Sequence, residues 1–403
     1  MVIRRENKMA NYYASIRTNY FRVKDEKKFR EFMAHVSGTE DRVELWEEKD
    51  KNGNTVFGFG TLGGIAGVTD YHNNSEDDGE DEDSEADFDA FLDSLQTFVA
   101  DDDAIIILES GHEKIWESIS GTVQSADLAF ANIEAPVSKD LPYSSFPNFN
   151  MHPEYPEAAV SAGFNVFSLV NNHTNDQGLE GMRATAKWAE TVHTQTQNAE
   201  NGRTVYFSGL KKTPEEKFSS CIIKKDGWTV LFLAVTEILN RPDFKTYMNY
   251  VPYTQKGRES LTAFVSALRK ENPCDIFVLS VHTDETEYVP GVAEKRRNYY
   301  YTLLESGVDV IWANHPHIIR EREIIGNERT GNLEKLIMYG NGNTISGQRW
   351  QPELDNPLND RENTGDGLLF EVTFSRKHGT ESEKNVIIKE TNPCYISPHH
   401  HLK

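Results

Sequence analysis

The sequence predicts a mixed α/β protein in two parts. A layered α/β body, with a β core flanked by helices, is expected over residues 113–403, preceded by a small α+β unit over residues 1–112. Three observations lead there. After residue 113, six apolar runs alternate with stretches of helical period, the mark of α/β layering. The first hundred residues instead read strand, helix, two strands, helix and strand. Finally, 403 residues exceed one ordinary domain, and 37% hydrophobic with 11% aromatic content suffices for real cores.

The first unit follows from local patterns. Residues 12–23 are rich in Tyr, Phe and Ile and read as a strand, while residues 24–36 place Phe29, Phe32, Met33 and Val36 at helical spacing. Residues 43–47 and 56–59 flank Lys51-Asn52-Gly53-Asn54, whose Asn-Gly is a strong hairpin signal. Phe88, Phe91, Leu92, Leu95 and Phe98 make an amphipathic helix, and residues 104–108 form a short apolar run suited to a buried strand. This β-α-β-β-α-β order is the ferredoxin-like pattern. Between its hairpin and second helix, ten of the fourteen residues from 76 to 89 are Asp or Glu. No fold buries such a block, so residues 74–88 are expected to be a disordered, solvated acidic loop. The calcium-loop spacing, with Gly at its sixth position and Glu at its twelfth, is absent there.

Composition excludes several functions. Lys and Arg number 42 against 64 Asp and Glu, a net charge of −22, which repels phosphate backbones and argues against nucleic-acid binding by a basic face. The same field suits a protein partner engaged through the acidic first unit. Cys221, Cys274 and Cys394 are an odd number at wide spacing and fit neither a disulfide framework nor a thiolate zinc site. No run reaches the ~18 apolar residues of a membrane span, and residues 1–8, MVIRRENK, lead into polar sequence, so a cytoplasmic protein is expected.

In the body, apolar strands are predicted at residues 128–133, 166–170, 230–235, 276–281, 308–312 and 336–339. Ligands of open α/β sheets bind outside the carboxyl ends of strands. Four of these strands end in chemistry: Asn132-Ile133-Glu134, Asn171-Asn172-His173, His282-Thr283-Asp284-Glu285 and Asn314-His315-Pro316-His317. Imidazoles, carboxylates and an amide oxygen from separate strand tips are the donors that suit Mn, Fe or Zn, and two such ions can clamp a phosphoryl group. Taken singly, each element has a plain reading. A lone His after a strand is usually hydrogen-bonded structure, Asn-Asn is a ready turn, and His-Pro-His occurs in ordinary loops. Joint occurrence at strand ends favours the site.

The residues also carry a resemblance. Phe130-Ala131-Asn132-Ile133-Glu134-Ala135-Pro136, followed by residues 163–173 ending in Asn171-Asn172-His173, resembles the paired motifs of the CapA family. The likeness continues through Ser280-Val281-His282 with Glu287-Tyr288, through residues 307–311 with Asn314-His315-Pro316-His317, and ends at Tyr339-Gly340-Asn341-Gly342-Asn343, covering about residues 115–350. It implies a bacterial protein of poly-γ-glutamate capsule synthesis, with a calcineurin-like metallophosphoesterase fold.

Carried over, the resemblance assigns Asn172, His282, His315 and His317 to one or two divalent cations, and His173 with Glu134 to catalysis. It implies a hydrolase acting on a phosphoester or a γ-glutamyl substrate, small or polymeric. A catalytically degenerate binding protein is the alternative, because the family opens with a strand ending in Gly-Asp and no Gly-Asp precedes Glu134. The nearest stand-in, residues 104–108 followed by Glu109, is also needed by the first unit. Asp176 and Gly178 read as the cap and turn of a helix whose Met182, Thr185, Ala186 and Ala189 face inward.

Overall fold

The computed structural model describes residues 14–396, leaving out 19, 39–41, 51–52, 63–64, 69–87, 101–106, 112–113, 145–146, 199–202, 345–363, 365 and 377–385. The acidic segment 74–87 therefore lies outside the described residues. The chain divides into two compact units, residues 1–119 and 120–403.

The first unit contains β1 (Ala14–Thr18), α1 (Glu26–Met33), β2 (Val36–Gly38), β3 (Glu44–Lys49), β4 (Thr55–Leu62), β5 (Ile65–Val68), α2 (Phe88–Phe98) and β6 (Ile107–Gly111). Four strands form an antiparallel sheet in the order β3-β4-β1-β6. The helix expected from residue 24 begins at Glu26, because the Asp25 carboxylate accepts the Lys27 and Lys28 backbone N–H groups, both at 3.1 Å. It also ends earlier than its periodicity suggests. Val36 leaves the helix and pairs with Val68 in the short β2-β5 ladder, whose strands are too brief to show a period of two. Phe21, Phe29, Phe32, Phe57, Phe59 and Phe91 are all fully buried and form the core.

Helix α3 (Lys114–Ser125) spans the division between the units. The second unit continues with β7 (Phe130–Asn132), α4 (Glu154–Ser161), β8 (Val166–Ser168), α5 (Gly178–Gln197), β9 (Tyr206–Ser208), β10 (Ser220–Lys225) and β11 (Trp228–Thr236). It is completed by α6 (Gln255–Glu271), β12 (Ile276–His282), α7 (Glu294–Glu305), β13 (Val310–Asn314), β14 (Arg322–Gly326), β15 (Leu333–Met338), β16 (Gly367–Arg376) and β17 (Val386–Ile396). Six strands run in the order β10-β11-β12-β13-β15-β14, with the four central ones parallel. A parallel trio β7-β8-β9 and the hairpin β16-β17 make further sheets.

The strand period of two builds the layers. Leu231, Leu233 and Val235 of β11 pack on one face with Leu261 and Val265 of α6 and Tyr300 and Leu303 of α7. Val230, Phe232 and Ala234 point the other way, into a core with Val166 of β8, Met182 of α5 and Ile388 of β17. The six-stranded sheet is thus covered by helices on one face and by further β structure on the other. At Gly209 φ is +126°, and a Cβ would lie 2.8 Å from Val170, so glycine lets the end of β9 lie against that of β8.

Strand β6 pairs along its whole length with β1, from Ala14 opposite Gly111 to Thr18 opposite Ile107. The strand that two domains competed for in the sequence therefore belongs to the first sheet. Among the described residues, the second unit's strands begin at β7.

Candidate functional site

Parallel pairing brings the strand tips together. Thr236 of β11 is the register partner of His282, and His282 of Asn314. Asn132 of β7 pairs likewise with Ser168 of β8. Across the two sheets, Glu134 after β7 approaches His282 at the end of β12.

Six sequence-predicted residues meet there. His282 Nε2 lies 2.8 Å from Asn172 Oδ1 and 3.7 Å from Glu134 Oε1. Glu134 Oε1 is also 3.5 Å from His317 Nε2. The His282 and His315 ring centroids are 5.0 Å apart, and those of His315 and His317 5.9 Å. Donor atoms of Glu134, His282 and His315 lie within 4.8 Å of one another, as do those of Glu287, His315 and His317, with His315 common to both groups. His173 belongs to neither group. It packs on Phe149 at 4.6 Å between ring centroids, and its Nδ1 lies 2.7 Å from Asp176 Oδ2.

The electrostatics favour donors over charges. Burial, aided by neighbouring rings, holds the His282 imidazole well below its ordinary pKa. Burial and the proximity of His317 lower His315 to about 4. Both rings are therefore neutral at pH 7 and keep a lone pair. Burial pushes the Glu134 carboxyl upward, against the opposing pull of His317. Glu134 Oε1, His282 Nδ1 and His315 Nδ1 are buried without a hydrogen-bond partner. Such orphaned atoms are rare in native folds and cost ~1–3 kcal/mol each unless something satisfies them. The backbone is strained at the same place: φ is +97° at His315 and +56° at His317, on either side of Pro316. These donors suit a borderline divalent cation.

One expectation is corrected. Asp176 does not cap the helix, whose N-cap is Gln177 without a side-chain bond. Its Oδ2 instead accepts the Phe149 N–H at 2.9 Å and faces the His173 ring. Sequence spacing alone does not separate a cap from a tertiary partner. The site also recruits residues not singled out beforehand. Asn240 Oδ1 accepts from Asn172 Nδ2 at 3.2 Å, which turns the Asn172 oxygen toward His282. Asn343 Oδ1 lies 3.0 Å from His317 Nδ1. Glu237 stands just past the end of β11, where the strand-tip rule would have flagged it, whereas Asn240 lies 68 positions from Asn172 and gives no local signal.

The sequence profile of the bacterial capsule synthesis protein PGA_cap family matches residues 72–348, well over half of the chain. The chain belongs to the PGA_cap family. Among its relatives is the capsule biosynthesis protein CapA of Bacillus anthracis, 22% identical over 261 residues, covering 63% of this chain and 58% of that one. The PGA biosynthesis protein CapA of Bacillus subtilis (strain 168) is 22% identical over 253 residues, covering 62% and 61%. The chain thus spans about three fifths of the length of these curated relatives. A solved hypothetical protein from Thermus thermophilus aligns with 71% of this chain and 94% of its own at 13% identity, with a TM-score of 0.38, too loose a likeness to bear on these residues. Among the described residues, no helix is long and apolar enough to cross a membrane.

Proposed function

We propose that the second unit is a calcineurin-like, metal-dependent hydrolase that cleaves a phosphoester or a γ-glutamyl bond in capsule-polymer metabolism. The carrying observation is the convergence of Glu134, His282 and His315, each of which offers a donor atom within 4.8 Å of the other two. On this reading Asn172, His282, His315 and His317 hold Mn, Fe or Zn, with Glu134 and Glu287 as anionic partners. The two donor groups share His315, whose neutral ring has a single lone pair, so that ring serves one cation at a time. A bound divalent cation supplies positive charge that polarises an acyl or phosphoryl oxygen and makes water more acidic.

The chain's own residues do the rest. Asp176 faces Nδ1 of His173 at 2.7 Å and fixes the ring, and once the ring has taken up a proton Nε2 passes it to the leaving group. Phe149 packs edge-on against that ring. Asn240 sets which face of the Asn172 amide enters the cleft. We place the boundary of this catalytic body at residues 112/113, and read the first unit as a ferredoxin-like acidic domain, supported by its β3-β4-β1-β6 order.

The test combines elemental analysis, Mn2+ thermal shift and cleavage of nitrophenyl phosphate and a γ-glutamyl anilide. Metal uptake with cleavage of either substrate supports the proposal. Protein that carries no Mn, Fe or Zn, is not stabilised by added Mn2+ and cleaves neither substrate sinks it. A second reading has its own observation: with β6 in the first sheet, no Gly-Asp carboxylate follows a leading strand of this unit among the described residues. A chain that takes up no cation yet binds poly-γ-glutamate or a protein through its acidic domain belongs to that binding-protein reading.

A further inference from the structure

Three buried charged side chains, with the part-exposed Glu285, form a network that the cation reading makes no use of. Arg296 of α7 is 1% exposed, Glu237 3% and Arg320 4%. Arg296 Nη1 donates to Glu237 Oε2 at 2.6 Å, and its Nε stands 3.8 Å from Glu285 Oε2. That Glu285 oxygen accepts from Arg320 Nη1 at 2.9 Å. The Arg296 guanidinium also lies 3.7 Å above the Tyr253 ring. Desolvating such ions costs several kcal/mol apiece, and well-packed apolar side chains commonly serve stability as well. Geometry is therefore the more informative aspect of the network.

Its contacts converge on residues 282–288. The Glu237 N–H donates to the His282 carbonyl at 2.9 Å, while its Oε2 accepts the Asp284 N–H at 3.1 Å. Arg320 Nη2 donates to the Thr286 carbonyl at 3.2 Å. Tyr288, at φ +63°, donates its N–H to the Pro316 carbonyl at 3.0 Å, tying the segment to the His315–His317 turn. The segment so held starts at one candidate donor, His282, and carries another, Glu287, whose Oε1 is 3.8 Å from His315 Nε2. No Gly-Asp carboxylate precedes Glu134, so the placing of Glu287 bears directly on the anionic charge of the cleft.

We propose that Glu237, Arg296, Glu285 and Arg320 form a positioning clamp that holds residues 282–288 so that Glu287 stands beside His315, thereby setting the affinity of the cleft for a divalent cation. The clamp rests on the cation reading above. Its four members are positioning residues: their charged ends face one another and the backbone of the segment, not the cleft.

The test is calorimetric titration of Mn2+ into the full chain as wild type, Glu285→Gln, Glu287→Gln and the double variant. Glu285→Gln keeps the size of the side chain and removes its charge. It is expected to raise the Kd about 10-fold or more, the loss typical when a group supporting a ligand is removed. Glu287→Gln should raise it at least as much. The double variant should fall well short of the product of the two effects, because the clamp acts through the Glu287 carboxylate. A Glu285→Gln Kd equal to that of the wild type, or fully multiplicative losses, overturns the clamp and leaves the cation reading standing. A wild type that takes up no Mn2+ overturns both. If circular dichroism shows Glu285→Gln unfolded, Arg320→Lys takes its place. It keeps the charge, loses the fork spanning Glu285 and Thr286, and carries the same expected and overturning results.

Discussion

The two units bury different things. In the first, six phenylalanines are fully buried, and among the described residues the only buried polar side chains are Thr18 and Thr61. Thr18 is satisfied by the Phe59 backbone, donating to its carbonyl at 3.3 Å and accepting its N–H at 2.9 Å. The second unit has apolar layers of its own, yet its strand tips bury Asn171, Asn172, His173, Asp176, His282 and His315, with Glu237, Arg296 and Arg320 behind them. Polar burial costs free energy wherever partners are incomplete, as at Glu134, His282 and His315. A fold retains that cost where chemistry needs it. The apolar unit shows what stability alone requires, and the polar strand tips show what has been added to it.

The contrast is open to experiment. Phe29→Ala removes a ring packed at 5.6, 5.2 and 5.7 Å from Phe21, Phe57 and Phe98. It should destabilise the first unit by about 3–5 kcal/mol in scanning calorimetry. The Mn2+ affinity of the second unit should stay within about twofold, given separate cores; a parallel loss of affinity would show that the units are not energetically separate. In the cleft the order reverses. His173→Gln should lower hydrolysis about 100-fold or more while the melting transitions stay in place, as expected of a proton carrier. Asp176→Asn should move activity in the same direction.

A smaller effect separates the units by pH. Burial, with Tyr143 nearby, raises the Tyr155 hydroxyl of α4 to about 12, against an ordinary 10.0. The unfolded chain ionises it first, so the wild type should lose stability relative to Tyr155→Phe as pH rises from about 10 to about 12. The difference should reach about 3 kcal/mol at most, and the two curves should run parallel below about pH 9. Chemical denaturation followed across that range checks it. The smallest effect lies on the first unit's surface. Arg30 reaches Glu47 through two bonds of 2.7 and 2.8 Å, with both side chains 40% exposed. Glu47→Gln should cost about 0.5 kcal/mol, vanishing in ~1 M salt, because solvent screens what the buried Arg296–Glu237 pair retains.

Much of this was legible without coordinates. Runs such as 230–235 and 276–281 identified strands because a chain buried on both faces has little choice but Val, Ile, Leu and Phe. Phe29, Phe32 and Met33 marked a helix face through a period that local geometry imposes. Glu134, Asn172, His173, His282, His315 and His317 stood out because each follows a strand. Those signals are local, carried by neighbours a few positions apart. Folding in three dimensions decided the rest: that β6 joins β1, that Asp176 turns to His173 instead of capping its helix, that Asn240 reaches Asn172, and that Arg296 answers Glu237 across 59 positions. Partnerships of that kind depend on which surfaces meet after the layers stack, and no periodicity along the chain encodes them.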